Sequence, residues 1–557
     1  MGRPFPFLLN SLSLPLPLPL LCFLSPMFLK TLTLFAILRA TTAASADQWR
    51  GRSIYQIITD RFALPAGANT NVCNPGDQTW CGGTWKTIQD NLDYVQDAGF
   101  TAIWISPINQ NYQGPRSAYG DPYHGYWSAD VSQLNERFGS ADDLKALIAE
   151  VHRRNMYVMV DVVVNNVMST SLTPNYSTYM LNDKSYYHPY CPIQWGNTTS
   201  EQNCWLGDTN VPLPDLDTRN PTVISRYGDW IEGLVKDYSI DGLRIDAAKH
   251  VNMDFWPGFA AKAGVFCIGE VFGGLEVDDV AQYQGPQGLD SVLNYPLYSA
   301  LSAAFAIPGP QNMTALTTVM QDSKTQFKDV TLLGNFLENQ DLPRWHNQST
   351  DPQTLYNAMV LTFMTDGIPI VYYGQEQGFS GATDPWNREP MWPSQYAKTD
   401  AYKLIQRLNS LRNYLVNSTD WLQQDSQISA VNNNSIAITK GSIISIVTNI
   451  GSPPQNNVTI AVRTGFKTGT PTTNIVNCQE WVVGSGSMVE VEYTKGGEAV
   501  VLLPSSQLKA SGLCGTDGSD SNPASVIKSS ATLQNVSRTY GLVFILVVSG
   551  YLLEHFL

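Results

Sequence analysis

The sequence predicts an α/β protein: a (β/α)8 TIM barrel, with a small domain inserted after the third strand and a C-terminal antiparallel β-sandwich. We predict the barrel because apolar, strand-like runs alternate with helical periodicity, and because a carboxylate follows four of these runs, at Asp161, Asp246, Glu270 and Asp341. In such a barrel the carboxyl ends of the strands converge on one face, where active sites lie. Short β-type runs separated by Gly, Pro and Asn follow residue 427 and predict the β-sandwich.

The alternation breaks in one place, between residues 166 and 220. This segment is rich in Tyr, Asn, Pro and Thr and is long for a connector, which favours a small inserted domain. We therefore expect the barrel over residues 47–421, including the insertion, and the C-terminal domain over residues 422–514. The predicted barrel strands are residues 54–58, 101–105, 157–163, 242–246, 265–268, 289–294, 331–337 and 368–373, with helices at 142–152 and 402–416.

The two ends of the chain are predicted to be processed. Prolines interrupt the first apolar stretch, which makes it a poor membrane helix, and a second start at Met27 precedes an ordinary secretory signal cleaved before Asp47. Residues 1–46 are therefore read as a leader, with either Met1 or Met27 as the initiator. Residues 515–530 are rich in Ser, Asp and Gly, which predicts a flexible tether. Small residues, a polar spacer and an apolar tail over 531–557 favour a signal for a glycosylphosphatidylinositol (GPI) anchor, with a short transmembrane anchor as the alternative.

Charge and composition exclude several classes of partner. The formal net charge is −14 with no basic run, and the pI is near 4.9, which argues against nucleic acid and anionic membrane surfaces as partners. No zinc-type cysteine spacing or phosphate-binding glycine loop is present. We expect a monomer that contacts a membrane only through its anchor.

Cysteines and glycosylation motifs fit the secretory route. Cys22 lies in the leader, and Cys267 lies in an apolar strand and is expected to be a buried free thiol. The other six form plausible pairs within single domains: Cys73 with Cys81, Cys191 with Cys204, and Cys478 with Cys514. Sequons stand at Asn175, Asn197, Asn312, Asn347, Asn417, Asn433 and Asn457.

Four further motifs accompany the strand-end carboxylates: YHGYW at 123–127, DGIPI at 366–370, YGQEQ at 373–377 and DPWNR at 384–388. Together and in this order they resemble the fungal α-amylases of glycoside hydrolase family 13, from about Trp49 to Cys514. The resemblance implies the barrel, the C-terminal domain, the same three disulfides and an α-1,4-glucan substrate. A fourth disulfide usual in fungal relatives has no counterpart here.

The resemblance implies that Asp246 is the nucleophile, Glu270 the acid/base and Asp341 a carboxylate that grips ring hydroxyls. Arg244, on the same strand face as Asp246, is expected to keep that carboxylate ionised. Glu270 ends an apolar strand, and burial favours the protonated form that an acid needs. The alternative is that the three carboxylates are unrelated structural acids.

The resemblance also implies a set of sugar contacts. His124, Tyr126 and Trp127 would hold the reacting glucose, Lys249 and His250 would lie on the acceptor side, and Asp384 and Arg388 would lie further along the donor side. Trp195, in the insertion, either contacts sugar or packs against the Cys191–Cys204 loop.

A calcium ion is implied beside the insertion, because a loop-rich segment with oxygen ligands suits a hard cation. Its ligands would be the Asn165 side chain, the Asp215 carboxylate, and the backbone carbonyls of Gln202 and His250. The ion would clamp the insertion onto the barrel.

Two positions depart from the family pattern, which has histidines where this chain has Asn166 and Gln340. Both amides can bond sugar hydroxyls but neither carries charge, so weaker transition-state contacts are expected to slow hydrolysis. With the GPI-type tail, these replacements resemble fungal GPI-anchored 4-α-glucanotransferases. The rival hypotheses are an ordinary secreted α-amylase and a catalytically inactive carbohydrate-binding or wall-structural protein.

Overall fold

The computed structural model describes residues 44–70, 73–305, 313–452, 458–493, 496–508, 511–515 and 527–528. Strands β1 to β12 precede the C-terminal domain, and strands β13 to β21 follow. The first group is Ile54–Ile57, Ala102–Ile105, Asn109–Asn111, Ser128–Leu134, Tyr157–Val163, Leu206–Gly207, Pro212–Leu213, Gly242–Asp246, Phe266–Gly269, Ser291–Val292, Gly334–Asn335 and Ile368–Tyr372. The second is Gln427–Asn432, Ser435–Lys440, Ile443–Thr448, Val458–Arg463, Pro471–Asn474, Glu480–Val482, Met488–Tyr493, Val500–Pro504 and Ile527–Lys528.

Eight parallel strands form the barrel, in the order β10-β9-β8-β5-β2-β1-β12-β11. A single parallel pairing of Leu293 with Gly334 bridges the remaining gap between β10 and β11. The strand residues are buried on both faces, as expected where helices cover a parallel sheet. The predicted barrel is therefore confirmed, and its strand order puts the ends of β5, β8 and β9 side by side.

The helices begin and end with recognisable signals. Helix α5 (Ala141–Arg153) starts at a Ser140 capping box. Helix α7 (Pro221–Tyr238) starts after the Asn220 cap with Pro221 in its first turn, and it ends at Ser239 in the left-handed conformation. Helices α1 to α15 span Ala46–Trp49, Thr59–Phe62, Trp85–Asp90, Leu92–Asp97, Ala141–Arg153, Thr198–Glu201, Pro221–Tyr238, Trp256–Ala263, Val277–Ala281, Tyr295–Phe305, Thr314–Gln326, Trp345–Gln348, Pro352–Met364, Asp400–Ser418 and Ser505–Leu508.

The seventh barrel strand differs from its prediction over residues 331–337. Val330–Leu332 is a 3-10 turn whose start is capped by the Asp329 side chain, and only Gly334–Asn335 forms a strand. Just beyond, Glu338 is buried and accepts from the Arg344 side chain and the Trp345 N–H, which holds the chain in a loop. Asp341 therefore lies on this loop, six residues beyond the strand.

The C-terminal region forms two layers. One sheet has the order β13-β14-β15-β20-β17-β18-β21, and the other is the β16-β19 pair. Buried side chains from both layers form one apolar cluster, which includes Ile446 and Leu502 from the first and Ile460 and Val491 from the second. Apart from the parallel β18-β21 pair, the pairings are antiparallel, so the predicted sandwich is confirmed.

Short parts of both predicted terminal segments lie within the described residues. Ala44, assigned to the leader, is buried, and its carbonyl accepts from the Phe266 N–H. Within the predicted tether, Ile527–Lys528 pairs with β18 as strand β21. Residues 1–43 and 529–557, which hold most of the leader and the anchor signal, lie outside the described residues. No helix within the described ranges is long and apolar enough to cross a membrane.

Three disulfides lie in the described part of the chain and match the predicted pairs: Cys73–Cys81, Cys191–Cys204 and Cys478–Cys514. Cys267 is a buried free thiol, as predicted. The sequon asparagines within the described residues are exposed, which leaves each open to modification: Asn175, Asn197, Asn347, Asn417 and Asn433. Asn312 and Asn457 lie outside those residues.

Candidate active site

A pocket of about 610 Å³ opens on the face where the barrel strands end. Its walls come from the loops after several strands and from the insertion. Most residues predicted to act on or bind substrate line it: His124, Tyr126, Trp127, Trp195, Asp246, Lys249, His250, Glu270, Gln340, Asp341, Asp384 and Arg388. The fold thus brings together side chains that are up to 264 positions apart in the sequence, from His124 to Arg388.

One guanidinium joins three carboxylates beneath the pocket. Arg244 Nη1 lies 2.9 Å from Asp161 Oδ1 and 2.7 Å from Asp246 Oδ1, and Nη2 lies 2.9 Å from Glu270 Oε2. Strand pairing explains this meeting, since Arg244 stands opposite Asp161 on β5 and Ile268 on β9. Arg244 lies behind the pocket wall, where it positions the two candidate catalytic carboxylates together.

The electrostatics of this cluster are set by burial and by crowding of like charges. Burial raises the pKa of Asp246 well above its usual value, Arg244 opposes that shift, and the neighbouring Glu270 and Asp161 reinforce it. For Asp341, desolvation within the pocket and then repulsion by Glu270 raise the pKa to about 7, although Arg388 at 3.3 Å opposes this. The pocket therefore favours retention of a proton among its carboxylates.

Glu270 is held by three donors. Oε2 accepts from the Ala247 N–H at 2.9 Å as well as from Arg244, and Oε1 accepts from the Tyr295 hydroxyl at 3.2 Å. Asp246 uses Oδ1 for Arg244, and no hydrogen bond to Oδ2 is found among the described residues. Glu270 is thus fixed in direction, whereas Asp246 keeps an oxygen for the pocket.

Gln340 and Tyr126 form a continuous hydrogen-bond chain along the pocket floor. Gln56 Nε2 donates to Gln340 Oε1 at 2.6 Å, Gln340 Nε2 donates to the Tyr126 hydroxyl at 3.0 Å, and that hydroxyl donates to Asp161 Oδ2 at 2.8 Å. The Gln340 amide is therefore engaged at both ends by neutral partners.

His124 stacks on Tyr126, with ring centroids 5.7 Å apart. Burial, and then the charges of Arg388 and Arg61, lower the pKa of His124 well below its usual value, so the ring is neutral. Because the Tyr126 N–H donates to Nδ1, the proton of the neutral ring is on Nε2 and can be donated to a sugar oxygen.

Of the predicted substrate-binding residues, Arg244 lies behind the pocket wall, and Asn166 is not brought into the pocket either. It is buried, and its amide oxygen accepts from Asn165 at 3.4 Å. The backbone explains this, because Asn166 forms a β-bridge with Asp215 of the insertion. Trp195, for which the sequence allows either sugar binding or packing, is 67% exposed, lines the pocket and meets His250 edge-on at 5.7 Å.

Sequence reasoning missed several residues around the pocket. Phe272, 46% exposed, and Leu206 line it, and Tyr295 bonds Glu270 from below. Two of them had a usable signal: Phe272 follows Glu270 by two residues, and Tyr295 follows the sixth predicted strand directly. Leu206 had none, because only the folded insertion brings it to the barrel.

The contacts of the predicted calcium ligands bear on whether a cation fits between them. Asp215 is buried; Oδ2 meets His188 Nδ1 at 2.6 Å, whereas Oδ1 finds no hydrogen-bond partner among the described residues. Burial raises the pKa of Asp215 to about 7, and an unpartnered buried carboxylate oxygen is costly unless a cation lies beside it.

Asn165 adjoins Asp215, since the Leu216 N–H donates to the Asn165 carbonyl at 3.0 Å. The Glu201 carbonyl contacts His250 Nδ1 at 2.9 Å, which brings residues 201–202 beside residue 250.

These donors are oxygens of a carboxylate, an amide and two backbone carbonyls, so they fit a hard cation. No group of three or more His, Cys, Asp or Glu side chains able to hold a metal occurs within the described ranges.

Comparison with known proteins agrees with this geometry. Residues 56–435 match the model of the α-amylase catalytic domain, and residues 428–522 match that of α-amylase domain C. The chain is 40% identical over 494 residues to α-amylase 2 of Schwanniomyces occidentalis, covering 86% of this chain and 95% of that protein. It is 41% identical over 477 residues to the α-amylase of Saccharomycopsis fibuligera, covering 84% and 94% of the two chains.

A solved α-amylase structure from Malbranchea cinnamomea superimposes with a TM-score of 0.81 at 38% identity, covering 85% of this chain and all of that one. The match extends through both the barrel that carries the paired carboxylates and the C-terminal sheets. The fold, the clustered strand-end acids and these likenesses together show that the chain is an enzyme of the α-amylase family of glycoside hydrolases.

Proposed function

We propose that this enzyme acts on α-1,4-glucan by a retaining mechanism and transfers glucan segments to other sugars, as a 4-α-glucanotransferase. The observation that carries the proposal is Gln340, whose neutral amide is tied to Gln56 and Tyr126 at a pocket position where the family pattern has histidine. An uncharged amide whose oxygen and one of whose two N–H groups are already engaged adds little to its sugar contact as positive charge develops, which disfavours attack by unassisted water.

In the first half-reaction, the Asp246 carboxylate attacks the anomeric carbon while Glu270 gives its proton to the departing glycosidic oxygen. In the second, a sugar hydroxyl attacks the glycosyl–Asp246 ester, Glu270 takes its proton, and Asp246 leaves as a carboxylate. This sequence requires two carboxyl groups about 5–5.5 Å apart. Arg244 favours that spacing, since its two terminal nitrogens bind one of them each.

Transfer also needs an acceptor held against the intermediate. Two large apolar side chains, Trp195 and Phe272, are exposed and line the pocket, and Trp195 lies against His250, next to Lys249 in the chain. Aromatic faces bind the apolar faces of sugar rings, and an acceptor bound in attacking geometry reaches an effective molarity that competes with bulk water. These side chains support a bound sugar, rather than water, as the second nucleophile.

Pure maltopentaose should therefore give products both longer and shorter than itself, with little net gain in reducing ends. Gln340→His should raise the ratio of hydrolysis to transfer, because a histidine can carry the charge that the amide cannot. Chromatographic product analysis together with a reducing-end assay measures that ratio. Asn166→His is the matched control, since its side chain lies outside the pocket, and it should change the ratio less.

The alternative is an ordinary endo-acting α-amylase, which is the name carried by the relatives described above. It shares every carboxylate with the first proposal and differs only in what attacks the intermediate. If maltopentaose yields shorter sugars alone, and reducing ends rise in step with substrate loss, the amylase function replaces the transferase.

We further propose a structural calcium ion held by Asn165, Gln202, Asp215 and His250. The partnerless Asp215 Oδ1 supports it, because a cation there would offset the cost of the buried carboxylate. Such an ion would fix the insertion against the barrel through its charge and would take no part in proton transfer.

Removal of calcium with excess chelator should lower the melting temperature, and Asp215→Ala should abolish that response. A ligand bound only by the folded state stabilises by about 2.7 kcal/mol when present at 100 times its Kd. Calorimetry with and without chelator, together with metal analysis of the purified protein, provides the measurement. A metal-free protein that melts at the same temperature with and without chelator contradicts the site.

We also propose that the protein follows the secretory pathway and is held at the cell surface or cell wall by a GPI anchor. The disulfides and exposed sequons support the first part. The second part rests on the residue pattern of 531–557, with secretion in free form as the alternative.

A further inference from the structure

One large aromatic side chain stands beside the pocket without lining it. Trp386 is 51% exposed. Its neighbours Asp384 and Arg388 both line the pocket and pair at 3.1 Å. Single exposed apolar residues are common and usually carry no meaning. Trp386 differs because Asp384 and Arg388, two positions before and after it in the chain, both belong to the pocket wall.

The backbone that carries Trp386 is fixed. The Asn387 side chain donates to the carbonyls of Gln340 and Leu342, both at 2.9 Å, and Arg388 Nε donates to the Gln340 carbonyl at 3.1 Å. Further along the same segment, the Tyr373 hydroxyl donates to the Glu389 carbonyl at 2.7 Å. The indole thus projects from a rigid support, so little backbone freedom remains to be lost when a ligand binds.

The indole itself is seated against a glycine. A Cβ built at Gly76 would overlap Trp386 Cη2 and lie 2.9 Å from Cζ3, closer than atoms can approach. Gly76 belongs to the loop closed by the Cys73–Cys81 disulfide, and the Asn74 side chain accepts from its N–H at 3.2 Å. The absent side chain at this position is what lets the ring rest there while half of its surface faces solvent.

We propose that Trp386, supported by Gly76, forms a further glucose-binding subsite beyond Asp384 and Arg388. Its ligand is a glucose ring of an α-glucan chain long enough to extend out of the pocket, and the apolar face of that ring stacks on the indole. This rests on the proposed α-glucan substrate but not on whether water or a sugar is the acceptor. Trp386 is therefore a determinant of chain-length preference.

The test compares Trp386→Ala with wild type on maltooligosaccharides from three to eight units, following total substrate loss so that hydrolysis and transfer both count. The KM of the longest substrates should rise by roughly 3- to 10-fold, the factor expected from one aromatic contact, with kcat near wild type. The shortest substrates should be unaffected. Trp386→Phe should restore most of the affinity for long chains.

Gly76→Ala offers an independent arm, because its methyl group displaces the indole without touching the pocket. It should reproduce the length-dependent rise in KM. Tyr190→Ala, which removes another exposed aromatic outside the pocket lining, is the control. It should leave KM at its wild-type value for every chain length. Melting temperatures of all variants separate a binding effect from unfolding.

An effect of Trp386→Ala that is equal at every chain length, or absent at every length, overturns the subsite alone. A wild type that leaves every maltooligosaccharide intact contradicts the proposed substrate, and the subsite with it. The two failures are thus told apart by the wild-type measurement.

Discussion

Asp246→Asn and Glu270→Gln should each lower activity on α-glucan by at least about 10³-fold while leaving the fold intact, because the two groups act as one unit. The amide in Asp246→Asn could not form the covalent ester, and the amide in Glu270→Gln could not give a proton to the leaving oxygen. The amide side chains are nearly isosteric with the acids, and Arg244 retains the carboxylate of Asp161 in either variant. Initial rates on a defined maltooligosaccharide, with circular dichroism of each variant, measure the effect.

The matched control is Asp278→Asn, a carboxylate exposed on helix α9 shortly after Glu270 in the chain. It should keep wild-type activity. A variant at Asp246 or Glu270 that is folded and remains within about tenfold of wild type contradicts the assignment. The carboxylates would then be structural acids around Arg244.

Lys440→Met should lower the free energy of unfolding by about 3 kcal/mol, the lower end of the cost of breaking a buried ion pair. Lys440 belongs to the C-terminal sheet, and Asp366 stands just before barrel strand β12. Lys440 Nζ lies 2.6 Å from Asp366 Oδ1, and both side chains are buried. Ser426 and Lys324 remain near the carboxylate at 2.5 and 3.6 Å, which limits the loss. Denaturant titration at neutral pH provides the measurement.

The pH dependence of this loss has a defined sign. Burial alone would raise the pKa of Asp366, but Lys440 and Ser426 hold it below its usual value of 3.8. A carboxyl group whose pKa is depressed in the folded state adds to the free energy of unfolding at any pH above its unfolded pKa. That contribution is lost as the pH falls through the folded pKa. The difference in stability between wild type and Lys440→Met should therefore be at its full size from neutral pH down to about pH 4, and should narrow as the pH falls below 3.8 toward the lower folded value. The double variant Asp366→Asn with Lys440→Met should recover most of the free energy of unfolding that Lys440→Met loses. If the single and the double variant lose the same amount, the unpaired buried carboxylate is not the cause of the loss.

Local sequence patterns were enough to predict the barrel, the two-layer C-terminal domain and the positions of the candidate catalytic carboxylates. They were enough because buried parallel strands are continuous apolar runs, and because Asp246 and Glu270 stand directly at strand ends, where the topology of the fold dictates where they meet. The cysteine pairs could be predicted because each closes a loop within one domain.

Contacts between distant segments decided the rest. Asn166 and Gln340 looked equivalent in the sequence, yet the bridge to Asp215 turns Asn166 away while Gln340 reaches the pocket. The seventh strand is short because Glu338 is drawn to Arg344, an ion pair that no periodicity announces. Leu206 enters the pocket from the two-residue strand β6 of the insertion, which no regular sequence pattern predicts. The seat of Trp386 on Gly76 joins residues 310 positions apart. Local patterns specify strands and their ends, whereas the lining of a pocket is set by packing between loops, which only the folded chain brings together.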